Sequence, residues 1–87
     1  MSKGLVLEKF RTKYIALLNE LKRELVSRYP DRAQRAEYVT DVLVHKAYAL
    51  DLHSLADFIH TLYLACTEFK EICRLMPSPK EVDELFE

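Results

Sequence analysis

The stretch Leu55–Met76, LADFIHTLYLACTEFKEICRLM, decides how this sequence is to be folded. Apolar or small residues recur in it at Leu55, Ile59, Leu62, Cys66, Phe69, Cys73 and Met76, in steps alternating between four and three. That alternation follows one face of an α-helix and makes a heptad-like seam suited to packing along another helix. It predicts a helix over 54–76, stopped by Pro77.

Working upstream, Ala36, Val39, Leu43, Ala47 and Leu50 form a second stripe and predict a helix over 32–49. No Gly or Pro separates these two helices, so the boundary at Leu50–His53 rests on weaker signals. Asp51 or Ser54 can cap the downstream helix, and Ser54 with Asp57 resembles a capping box. Without a turn, a continuous helix over 32–76 would span roughly 67 Å at 1.5 Å per residue and would require a partner chain. Further upstream, Leu7, Phe10, Tyr14, Leu17, Leu18, Leu21 and Leu25 predict a helix over 6–29, ended by Pro30. Asp31 is placed to cap the helix that follows. Downstream of Pro77, Ser78, Pro79 and Glu81 supply an N-cap, an N1 proline and a returning carboxylate for a short helix over 79–86.

The expected fold is therefore all-α: a three-helix antiparallel bundle with a short C-terminal fourth helix, in one domain. The single Gly, at position 4, and the three prolines leave too few turn residues for a sheet protein. A chain of 87 residues has a small core, so association as a dimer is expected to add burial.

Charge is unevenly placed although the net value is only −1. Residues 1–50 carry ten Lys/Arg against six Asp/Glu, and residues 51–87 carry three against eight. The halves are thus +4 and −5, a pattern that can steer a partner or neutralise itself within one fold. Charges at Lys3, Glu8 and Lys9 interrupt the apolar run a secretory signal needs. The uncharged run Phe58–Thr67 is about half the length a membrane span requires. On a continuous helix, Cys66 and Cys73 stand about 10 Å apart, too far for a disulfide. The expectation is reduced, core-packed cysteines in a cytoplasmic protein that does not enter the membrane.

Candidate chemistry is sparse. His53, Asp57 and His60, with Asp41 and His45 on the preceding helix, have spacings that align side chains and suit a metal in a helical bundle. They point away from the apolar stripes, however, which removes the sheltered second layer of contacts a metal site needs. No cofactor is implied, and one glycine cannot build a phosphate loop. No residues are arranged as catalytic groups, so the chain reads as a non-enzyme. Arg23, Arg28, Arg32 and Arg35 surround the first bend and can form a phosphate-binding cluster, giving a nucleic-acid-associated regulator as the alternative function.

The leading reading is a non-catalytic protein-protein interaction module: an adaptor, regulator or assembly subunit. It comes from the outer faces of the second and third helices. Tyr38, Asp41, His45 and Tyr48 occupy one, flanked by Val42 and Val44, and His53, Asp57, His60 and Leu64 occupy the other. Long Lys and Glu side chains are missing from this stripe and Tyr is present, as at interfaces. The partner is another protein or a second copy.

Overall fold

Helix α1, Lys3–Arg28, is the longest element of the computed structural model, which describes residues 3–86. It buries Phe10, Tyr14, Leu18, Leu21 and Leu25 along one stripe, with Leu7 and Leu17 half-buried beside them. Pro30 disfavours helical backbone at the preceding residue, and Tyr29 accordingly leaves the helix at φ −123°, ψ 68°. Pro30–Arg32 form one 3-10 turn that contains Asp31. Asp31 therefore does not cap the next helix: the cap residue is Arg32, with no side-chain hydrogen bond.

Helix α2, Ala33–Tyr48, runs antiparallel to α1. Lys22 Nζ meets Asp41 Oδ1 at 2.7 Å, and Arg11 donates to the Tyr48 carbonyl at 3.1 Å. Ala36, Val39, Leu43, Ala47 and, beyond the helix, Leu50 are buried. Thr40 is the buried polar residue of this face, its hydroxyl satisfied by the Ala36 carbonyl at 2.8 Å.

A turn then reverses the chain. Ser54 N–H donates to Asp51 Oδ1 at 2.8 Å, and Asp51 N–H donates to Ser54 Oγ at 2.9 Å. This reciprocal pair has the logic of a capping box, but Asp51 and Ser54 build it, whereas Ser54 makes no side-chain cap to α3. The chain is consequently not one long helix.

Helix α3, Leu55–Glu68, stops short of the predicted Met76. Phe69 is extended at φ −130°, ψ 106°, and Lys70–Leu75 continue as a 3-10 segment. The buried seam also differs from the expected one. Leu55, Leu62 and Phe69 belong to both, but the fold adds Phe58, Ala65, Ile72 and Leu75. Ile59, Cys66 and Met76 are only half-buried and Cys73 is exposed. The chosen frame removes the rings and branched chains of Phe58 and Ile72 from water, which gains more than burying two cysteines.

The break at Phe69 corrects the cysteine expectation as well. An extended residue followed by a 3-10 return brings the Cα atoms of Cys66 and Cys73 to 4.8 Å, and the two sulfurs are bonded. The 10 Å separation belonged to a helix that the chain does not form, and the two thiols are not the reduced, core-packed pair expected from it.

Helix α4, Pro79–Phe86, begins at Ser78, whose Oγ accepts from Glu81 N–H at 3.2 Å and donates to Glu81 Oε1 at 3.3 Å. Lys13 reaches Glu81 at 3.2 Å, and Leu85 is fully buried. The 3-10 segment packs on the end of α1 nearest Arg28, and α4 on the half nearest its start, so together they form a fourth leg. α1 and α3 lie diagonally and meet through Tyr14 and Phe58, whose rings are edge-on at 5.5 Å. The architecture is all-α: the described residues contain no strand, and no helix among them is long and apolar enough to cross a membrane.

Candidate protein-interaction surface

α2 and α3 lie side by side and leave a shallow groove of about 420 Å³ between them. Its floor is the buried trio Val39, Leu43 and Ala65, and Tyr38 and Leu64 stand at its two edges. Both are exposed, at 60% and 53%. Their exposure follows from position: core packing fixes the opposite side of each helix, and both side chains stay more than half exposed.

Ion pairs bridge α2 and α3 at one end of the groove and beyond the other. Arg35 Nε meets Glu68 Oε1 at 2.6 Å among the lining residues, and Lys46 Nζ meets Asp57 Oδ2 at 2.6 Å one helical turn past the lining residues Val42 and Thr61. The Lys46 hydrogen bond holds the Asp57 carboxyl below the usual carboxylate range, and the Glu68 carboxylate raises the Arg35 guanidinium further. Arg35 also lies 5.4 Å from the Tyr38 ring centroid. The surface is thus apolar in the middle and ionic at its rims, the arrangement found in protein interfaces.

The eight residues expected to form a single stripe do not share one surface. Tyr38 and Leu64 line the α2/α3 groove, and Asp57 pairs with Lys46 one turn beyond it. Asp41 and Tyr48 turn toward α1, the first bonded to Lys22 and the second beside Arg11, Ile15 and Ala16. His45 and His60 are exposed on α2 and α3, and His53 is exposed in the turn. Arg35 and Glu68, which line the groove, and Lys46, which pairs with Asp57 beyond it, were missed. Their spacing carried the signal: 35, 38, 42 and 46 follow one edge of α2, and 57, 61, 64 and 68 the facing edge of α3.

The metal and arginine candidates fare differently. Among the described residues, no three His, Cys, Asp or Glu side chains are gathered where a cation could be held. The Asp57 carboxylate is taken by Lys46, and His53 lies outside the helix that carries His60. Three of the four arginines have carboxylate partners. Arg28 pairs with Glu24 and Glu71. Arg32 pairs with Glu68 and lies 4.5 Å over the Phe69 ring. Arg35 shares that same Glu68. Arg23 is exposed and lines a recess with Lys22, Val26 and Glu37.

Compared with protein-family models, with curated proteins and with solved structures, the chain matches none.

Proposed function

We propose that this protein is a small non-catalytic interaction module, an adaptor, regulator or assembly subunit that binds a protein partner through the outer edge of α2 and α3. The observation that carries this reading is the groove bordered by Tyr38 and Leu64, with an apolar floor, the Arg35–Glu68 pair at one end and the Lys46–Asp57 pair one turn beyond the other. An uncovered aromatic-aliphatic patch with a polar rim is what a docking protein presents. The reading includes association between copies, which would enlarge the burial available to a small core.

The arginine cluster supports its alternative less well. A phosphate approaching Arg28, Arg32 or Arg35 must compete with carboxylates already in place.

The test is photo-crosslinking in producing cells, with a photoreactive phenylalanine analogue replacing Tyr38. Discrete protein adducts are expected, and Leu64→Glu on the same chain should remove them. Adducts no more abundant than from the same analogue at the exposed Glu20, or unaffected by Leu64→Glu, would overturn the reading.

A further inference from the structure

The two edges of the α2/α3 groove differ in sign. The α2 edge is positive at both ends, with Arg35 and Lys46, and the α3 edge is negative at both ends, with Glu68 and Asp57. Between these ends lie Tyr38 and Val42 on α2 and Thr61 and Leu64 on α3, the Thr61 hydroxyl being taken by the Asp57 carbonyl at 2.8 Å. We infer that the occupant of this groove is a second copy of the chain, related by a two-fold axis running along the groove. This rests on the interaction reading above and names its partner.

The charge pattern selects both the partner and the axis. Two identical grooves can meet face to face about an axis along the helices or about one across them. With the axis along the groove, each α2 lies over the partner's α3 at the same height. Arg35 then meets the partner's Glu68, and Lys46 meets the partner's Asp57. Every charged rim residue faces an opposite charge, while Tyr38, Val42 and Leu64 close over one another at the centre. With the axis across the helices, α2 lies on α2 head to tail. Arg35 then meets the partner's Lys46, and Glu68 meets the partner's Asp57, so like charges face each other at both ends. Like-charge juxtaposition suppresses a pairing mode, which leaves the first arrangement. In it α2 and α3 of both copies form a four-helix layer with antiparallel neighbours, an ordinary packing for helices.

The experiment uses the purified full chain. Light scattering over a concentration series should give twice the 10.2 kDa chain mass. Arg35→Glu with Lys46→Glu places negative α2 against negative α3 of the partner and should weaken dimerisation at least tenfold. Adding Asp57→Lys and Glu68→Arg to that chain should restore it, because the signs are then exchanged throughout. Circular dichroism of each variant separates lost association from lost folding. A nitroxide side chain encoded at position 53 places a label at one end of the bundle. The interchain distance should then fall well below the 43 Å length of the molecule. A distance close to that length, or dimerisation indifferent to Arg35→Glu with Lys46→Glu, would overturn the axis. A wild-type chain that stays monomeric throughout would overturn the second copy as occupant. The interaction reading would survive that result if crosslinks from position 38 still ran to a different protein.

Discussion

At Glu71 one carboxylate ties the end of α1 to the 3-10 segment. Oε1 accepts from Arg28 at 3.0 Å and from the Tyr29 hydroxyl at 2.8 Å, and the side chain is only 11% exposed. Oε2 is buried and makes no hydrogen bond with the described residues. Burial pushes the Glu71 carboxyl up, but hydrogen bonds from its own backbone, from Tyr29 and from Arg28 outweigh it, and the group sits below the usual glutamate value. A folded-state pKa below the unfolded one means a contribution that is full at neutral pH and lost as pH falls through the folded value. Glu71→Gln, which keeps the shape but not the charge, should therefore cost about 1.5–3 kcal/mol at pH 7. The gap between the two proteins should persist below the usual glutamate range and close only as pH falls through the lower folded-state value of Glu71. Urea unfolding across a pH series measures this, and a gap that stays constant down to low pH would remove Glu71 as the anchor. Nothing in the sequence pointed to this residue, because its partners lie 42 and 43 positions away. The Ser78–Glu81 cap, by contrast, was legible, since all its atoms come from one short segment.

At the scale of elements, the stripes of α1 and α2 could be read from periodicity because each has one apolar frame without a competitor. α3 has two. Leu55, Leu62 and Phe69 fit either frame, and the choice between Phe58, Ala65 and Ile72 on one side and Ile59, Cys66 and Cys73 on the other is a tertiary decision. Strict four-and-three alternation therefore could not reveal which face turned inward. The same ambiguity hid the break at Phe69, where no Gly or Pro stands and where the extended backbone places the ring 5.6 Å from that of Tyr29. The two frames make opposite forecasts for neighbouring residues. Phe58 is 1% exposed, so Phe58→Ala should cost about 3–5 kcal/mol. Ile59 is half-buried, and Ile59→Ala should cost well under half as much. Thermal unfolding of the two variants decides it, and a larger loss at Ile59 would restore the seam expected from spacing. Ile72 and Leu75 are held in the same core, so hydrophobic burial and the Cys66–Cys73 bond constrain the 3-10 segment together.

For the whole molecule, the charge imbalance between the halves is resolved internally. Lys13 pairs with Glu81, Arg28 with Glu71, Arg32 and Arg35 with Glu68, and Lys46 with Asp57, each joining the basic first part of the chain to the acidic second part. The asymmetry was visible in composition, but its use was not, because it depends on the tertiary packing that lays Glu71 and Glu81 against α1 and Asp57 and Glu68 against α2. Such pairs are mostly exposed and individually stabilise little. Their larger consequence is for the surrounding field: most cations that could have gathered phosphates lie against carboxylates, Arg32 and Arg35 sharing Glu68. Phosphate binding draws its affinity from released counterions and therefore requires several unmatched cations on one face. Around the first bend only Arg23 has no carboxylate partner among the interactions described, while Arg28, Arg32 and Arg35 all do. In a filter-binding titration at low salt, a single-stranded oligonucleotide and a duplex should both show no retention above that of a neutral control protein. Saturable binding whose affinity falls steeply with added salt, and which is lost on Arg23→Glu with Arg28→Glu, would instead show that the carboxylates give way. Nucleic acid would then replace protein as the proposed partner of this fold.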